Sequence, residues 1–330
     1  MWRSGTADAP VAPMRVATGI LLIACAARAQ FRTDVPLVVA PTTVTNRKGH
    51  YVDGLGADDL ILYDNNVPQR IQADAAVNPI SLVVAVQASS NAAAVLDKLG
   101  RSGILFSQLL AGDAGETALI TFSSDVRLMQ DFTSDPDLLT RALRTLRTQG
   151  GGAAALDGVM EALRILARRK PDRRRIILII AEKRDRSSRV QFPALLQEVQ
   201  RQNAAIYWLT YSPFLTPFTR RPKTDERGEP LPPEISSGSL LTIFTELKQR
   251  AKVNVADLLS RTSGGRTLGF LKQGALEQAI EAIGEEVHKQ YILTFQPAPS
   301  VPGQFHSIRV EVKGRPDLRV RTRAGYWTIP

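Results

Sequence analysis

Cysteine is nearly missing. Cys25 stands alone in 330 residues. One thiol makes no disulfide framework and no multi-thiolate metal site. Histidine is scarce too: His50, His288 and His306 lie far apart, with no spacing to Asp or Glu that suggests metal ligands, and read as surface or interface residues. Aromatic residues make up 6% and are not interleaved with the basic runs, so stacking along a single-stranded nucleic acid is unsupported. No G-x-S-x-G elbow, no nucleophile beside a base and no usefully spaced carboxylate pair occurs. A hydrolase has nothing to start from, and the chain reads as a non-enzyme. No apolar run is long enough to span a bilayer comfortably.

What is present is ordinary for a chain that buries a core: 44% hydrophobic and 22% charged residues. The net charge of +10 suits acidic surfaces. The N-terminus reads as an export signal over residues 1–29. Arg3 and Arg15 are its basic residues, Val16 to Ala26 its apolar core, and Ala27-Arg28-Ala29 an A-x-A cleavage pattern. Leu22-Ile23-Ala24-Cys25 gives a second reading, a lipoprotein anchored through Cys25. The expected location is therefore periplasmic or secreted, with membrane contact only if Cys25 is lipidated.

Residues 30–78 read as strands only, with Val35 to Val39, Thr42 to Thr45 and Leu60 to Tyr63 broken by Asn/Asp/Gly turns. Residues 290–330 have the same character, in Tyr291 to Phe295, Ser307 to Val312 and Leu318 to Thr322. Between them, strands alternate with helices. Ser81 to Val86, Thr117 to Phe122, Val126 to Met129, Ile176 to Ile180 and Ala204 to Leu209 are strand-like. Asp135 to Leu146, Ala153 to Ala167, Phe192 to Gln202 and Leu276 to Val287 are helical, and Arg266 to Leu268 reads as a short edge strand. That rhythm predicts a mostly parallel sheet covered on both faces over 79–289. The Pro-rich stretch 212–238 breaks it and reads as a mobile insertion; helical signals resume from Leu240 to Leu259. Each flank is too small to bury a core alone, so the two are expected to pair in one β-sandwich with the α/β domain inserted between them.

The loop leaving Ser81–Val86 is where an open α/β sheet binds ligands, and it reads Gln87-Ala-Ser-Ser-Asn91. Several phrases stand in order around it: Phe31-Arg-Thr-Asp-Val-Pro-Leu-Val-Val39, Asp64-Asn-Asn-Val-Pro-Gln-Arg70, Pro79-Ile-Ser-Leu82, Ala118-Leu-Ile-Thr-Phe-Ser123, Gly150-Gly-Gly-Ala-Ala-Ala-Leu-Asp-Gly158 and Ala324-Gly-Tyr-Trp327. In these the chain resembles von Willebrand factor A-related proteins of the acidobacterial type. The resemblance implies a Rossmann-like von Willebrand factor A domain flanked by β segments. It also implies a metal-ion-dependent adhesion site: Asp-x-Ser-x-Ser after the first strand, then a Thr and an Asp from later loops. Hard oxygen donors there hold Mg²⁺ and leave a position open to a partner's carboxylate.

Residue by residue the carry-over departs from that pattern. Gln87 stands for the first Asp, Ser89 for the first Ser, Asn91 for the second Ser, Ala153 for the Thr and Glu182 for the later Asp, beside Lys183 and Arg184. The favoured expectation is a degenerate site with no cofactor, where Gln87, Ser89, Ser90, Asn91, Gly152, Ala153 and Glu182 form a contact loop for a protein partner in the envelope or outside the cell. The alternative keeps a weakened Mg²⁺ or Ca²⁺ site on Ser89, Asn91 and Glu182. Gly150-Gly-Gly152 lacks the Lys-Ser/Thr of a phosphate loop and reads as a turn. Asp157 reads as a cap or salt-bridge partner. Arg168-Arg-Lys170 and Arg173-Arg-Arg175 read as a solvated helix-to-strand turn rather than a phosphate site. Arg220-Arg221 and Lys223, in the insertion, are a second basic spot open to an acidic partner. No nucleic-acid partner is expected.

Overall fold

The computed structural model describes Met1 and residues 37–75, 78–211, 255–270, 273–298 and 300–328. The export signal with Cys25, the 212–238 insertion and the start of the Leu240–Leu259 signal lie outside the described residues.

A valine-rich strand is the axis. β5 (Ile80–Gln87) is buried at every residue. Four strands precede it in sequence: β1 (Val38–Thr45), β2 (Leu60–Asp64), β3 (Val67–Gln69) and β4 (Gln72–Ala75). After it come β6 (Glu116–Phe122), β7 (Val126–Thr133), β8 (Arg174–Ala181), β9 (Ala205–Thr210) and β10 (Thr267–Gly269). β5 lies between β8 and β6 in a sheet of order β10-β9-β8-β5-β6-β7, parallel except for the antiparallel edge β7. Successive strand side chains face opposite ways. Leu82, Val84 and Val86 therefore pack against one helical layer: α1 (Ala93–Leu99), the π-helical segment Leu105–Ala111, α2 (Pro136–Arg144) and, late in the chain, Gln273–Lys289. Val83 and Ala85 face α3 (Ala155–Leu166), α4 (Phe192–Arg201) and α5 (Val255–Ser263). The Gln273–Lys289 helix is α6. Asp135 caps α2: its Oδ1 accepts from Asp137 N at 2.8 Å, with Pro136 in the first turn.

The flanks form two four-stranded sheets. With β11 (Tyr291–Phe295), β12 (Phe305–Val312), β13 (Arg319–Arg321) and β14 (Gly325–Trp327), their orders are β13-β1-β11-β4 and β14-β12-β2-β3. N- and C-terminal strands interleave, and Ala40, Leu62, Leu293, Phe295 and Val310 share one core. β4 and β11, the strands on either side of the inserted domain, pair directly, Ala75 opposite Tyr291. The inserted domain thus leaves and returns at one place, as insertion requires. Val38 and Val39 of the predicted piece Val35–Val39 continue into the predicted Thr42–Thr45 as one strand, β1, while Val35 and Pro36 lie outside the described residues. Pro41, which separates them in sequence, falls where β13 does not pair with β1. The sequence reading placed no strand at β3, β4 or β14 and no helix at Leu105–Ala111. The three strands have only three or four residues each, too few to show a period, and tertiary pairing alone defines them. His306 is not a plain surface residue: its Nδ1 lies 2.8 Å from Asp64 Oδ1, and Tyr326 donates to Asp64 Oδ2 at 2.8 Å.

Among the contacts that seat the sandwich on the α/β domain, two matter most here. Trp327 joins the core of α3 and α4, and its N–H donates to Gln200 Oε1 at 2.8 Å. The second is ionic. Glu286 of α6 is 1% exposed; Arg321 of β13 lies 2.5 Å from its Oε1 and Arg266 Nε 2.9 Å from its Oε2. The Arg266 contact is an ion pair without hydrogen-bond alignment. Tyr207 donates to Glu286 at 3.0 Å; burial, then Glu286's charge, pushes its phenol well above the ordinary range. Removing one member of a buried ion group leaves charge uncompensated. Glu286→Ala is expected to cost about 3 kcal/mol, the lower end for a buried pair because both arginines keep some water. Urea unfolding of residues 30–330 measures this, and a loss under about 1 kcal/mol, the value of an exposed pair, would contradict it.

Candidate functional site

Gln87 ends the buried central strand and is itself 1% exposed. A buried amide has to find partners on both sides. β8 runs parallel to β5, with Val86 opposite Ile180, so residue 182 arrives beside residue 87. Gln87 Oε1 accepts from the Glu182 backbone N–H at 2.9 Å. That bond fixes which way the amide points. Its NH₂ then faces Ser89 Oγ at 2.7 Å and Glu182 Oε1 at 3.4 Å. The other Glu182 oxygen accepts from Arg186 Nη2 at 2.8 Å. One carboxylate, 5% exposed as a residue, is held between an amide and a guanidinium. Burial, then the charge of Glu182, raises the phenol pKa of nearby Tyr211.

The second loop reaches this centre through backbone. Gly152 has φ +103°, and a Cβ there would lie 2.6 Å from Ser124 Oγ, so only glycine fits. Ala153 is buried and offers no donor oxygen. Its N–H donates to Ser187 Oγ at 2.9 Å and its carbonyl accepts from Arg186 N at 3.0 Å. The first turn of α3 has no cap of its own. Asp185 Oδ1 accepts from Ala155 N at 2.8 Å, and Ser188 Oγ accepts from Leu156 N at 3.0 Å. Asp157 returns the favour, accepting from Arg189 N and Val190 N, each at 2.9 Å. It caps the neighbouring loop rather than its own helix.

Gln87, Ser89 and Glu182 are thus brought together, with Ala153 linked to them through Arg186 and Ser187. Ser90 and Asn91 are exposed in a short 3₁₀ turn; the Ser90 N–H donates to Gly150 O at 2.9 Å, and Asn91 makes no bond to Ser89 or Glu182. The sequence reading missed Asp185, Arg186, Ser187 and Ser188. Their signal was an Asp-Arg-Ser-Ser run between a buried strand and a helix start, where side chains that bond backbone cluster.

A divalent ion here would need several oxygen donors, carboxylate among them. The Gln87 amide turns N–H groups toward the centre, the Glu182 carboxylate is already ion-paired, and Ala153 has nothing to give. That donor set does not fit Mg²⁺ or Ca²⁺. Among the described residues no group of three or more His, Cys, Asp or Glu gathers to hold a metal.

The opposite end of the sheet carries the basic cluster. Arg169 pairs with Glu116 and stacks 4.8 Å over Phe132. Arg173 donates to Ser81 Oγ and Ile80 O, Arg174 to Val287 O and Arg175 to Gln202 O. These arginines tie strand starts to helix ends, so the turn is less solvated than its sequence suggests. A cleft of about 420 Å³ lined by Glu116, Phe132 and Arg173 lies there, away from the Gln87 loop.

With a parallel sheet wrapped by helices and a loop centre at the carboxyl ends of β5 and β8, residues 83–183 match the family model of the von Willebrand factor type A domain. Over those residues the chain is a von Willebrand factor type A domain, a class that commonly binds proteins and is generally non-catalytic. Similar solved structures include an aerotolerance-related membrane protein from Bacteroides fragilis carrying multiple mutations to serines. It is 16% identical, with 64% of this chain and 99% of that one covered, at a TM-score of 0.43. BatB from Bacteroides thetaiotaomicron is 16% identical over 62% and 99%, at 0.38. The von Willebrand factor domain of the type V pili tip protein Mfa5 from Porphyromonas gingivalis is 13% identical over 64% and 95%, at 0.38. At these scores the overlays add nothing to the assignment. No curated protein matches the sequence.

Gln87→Glu tests the centre. It sets a second carboxylate against Glu182, and like charges this close disfavour double ionisation. The variant is expected to be less stable than the parent at neutral pH and to close the gap as the pH falls and one carboxyl takes up a proton. Thermal unfolding across pH measures this; a gap that stays constant with pH would contradict the contact.

Proposed function

We propose that the chain is an exported, non-catalytic protein-interaction or adhesion module that works without a metal ion. Its contact surface is the set of loops at the carboxyl ends of β5 and β8: Gln87, Ser89, Ser90, Asn91, Gly152, Ala153 and Glu182. One observation carries the reading, the closed Gln87–Glu182–Arg186 network. It uses the amide and carboxylate groups that an ion would need. Export rests on the basic-apolar-small order of residues 1–29, with an anchor at Cys25 as the other outcome of processing. Among the described residues no helix is long and apolar enough to cross a membrane. The partner is expected to be an envelope or extracellular protein.

Calorimetric titration of residues 30–330 with Mg²⁺, Mn²⁺ and Ca²⁺ tests the metal-free reading. No binding heat is expected up to millimolar ion. Micromolar binding abolished by Ser89→Ala would overturn it in favour of a weakened site on Ser89, Asn91 and Glu182.

A further inference from the structure

The loop after β8 has an uneven distribution of charge. Lys183, Arg184, Arg186 and Arg189 are all exposed. The acids around them are turned inward. Asp185 is spent on the first N–H groups of α3 and on Ser188, Asp157 on the N–H groups of Arg189 and Val190, and Glu182 on Gln87 and Arg186. Arg189 meets only Asp125, at 3.8 Å with both side chains largely exposed, a contact of little worth in water. Lys183 and Arg184 have no acidic partner among the described residues. The local sequence is balanced by acids, but the surface it presents is cationic.

Arg186 is the member with a fixed position. Its backbone N–H donates to Ala153 O at 3.0 Å and its Nη2 to Glu182 at 2.8 Å, while its side chain stays 49% exposed. The remaining guanidinium N–H groups have no partner among the described residues. A guanidinium held from behind has already lost much of the rotamer freedom that binding would otherwise cost, and its planar fork matches a carboxylate. Ser90 and Asn91, exposed on the adjoining loop, add hydrogen-bonding groups of either sign.

We propose that this loop receives an acidic segment of a protein partner, with Arg186 as the oriented contact and Lys183, Arg184 and Arg189 around it. Charge complementarity selects that occupant. The inference rests on the metal-free reading above and supplies its recognition chemistry: a fixed side-chain cation meets the partner's carboxylate directly.

The test is fluorescence anisotropy of a labelled oligoglutamate peptide, and of an oligoglutamine of equal length, against residues 30–330 in EDTA at low salt. Oligoglutamate is expected to bind and oligoglutamine not, with binding weakened by added salt. Lys183→Ala/Arg184→Ala touches no internal partner and should fold; it is expected to weaken binding about tenfold. Arg186→Lys keeps the charge without the fork and should bind more weakly than the parent. Arg168→Ala/Lys170→Ala, at the other end of the sheet, should bind as the parent does. Equal binding of the two peptides would overturn the proposal. So would a loss confined to the Arg168/Lys170 variant, or binding to phosphatidylserine vesicles with none to oligoglutamate. Oligoglutamate binding that appears only when Mg²⁺ replaces EDTA would overturn the metal-free reading beneath it; absence of binding in both buffers would overturn this inference alone.

Discussion

A buried amide cannot be left without partners, and the carboxyl end of this protein's central strand is one. Gln87 lies where the strand is wholly enclosed. An unpaired amide there would cost about 1–3 kcal/mol. The neighbouring strand meets that need at residue 182, with one backbone N–H and one carboxylate. The buried carboxylate then needs a counter-charge, and Arg186 supplies it. Arg186 in turn aligns the loop so that Ser187, Asp185 and Ser188 reach the start of α3. Each link follows from satisfying the one before it. The loops are joined through these side-chain and backbone hydrogen bonds.

The rest of the fold fixes how the inserted domain is attached. The inserted domain starts and ends on paired strands, β4 and β11, so its two connections cannot drift apart. Glu286 and Trp327 hold the sandwich to opposite helical layers of the sheet. Neither flank could provide this alone, since β1 needs β11 and β13 and β2 needs β12.

Much of this was legible in the chain. A valine-rich run such as Ser81 to Val86 permits little except a strand buried on both faces, and strand–helix alternation then dictates a parallel sheet. Pairing of the flanks followed from their size. Residue types also drew attention to the loop after β5: glutamine where the resemblance implies an aspartate, alanine where it implies a threonine. What was not legible depends on partners distant in sequence. The role of Arg186 needs Glu182 and Ala153 in place, and Asp157 acts on a loop more than thirty residues away. The arginines of 168–175 looked solvated because charge runs usually are; Glu116, Gln202 and Gln290, which engage them, lie far along the chain. Three-residue strands such as β14 exist only because β12 is there to pair with them.

The central claim is that side chains, not an ion, close the loop centre. Anomalous scattering from a crystal of residues 30–330 soaked in Mn²⁺ tests it at atomic level. The expected result is no anomalous peak at the centre, with the Gln87 amide and the Arg186 guanidinium both on Glu182. A peak within roughly 2.2 Å of the Glu182 carboxylate and Ser89 Oγ, the distance of a directly coordinated small divalent ion, with Arg186 displaced, would contradict it.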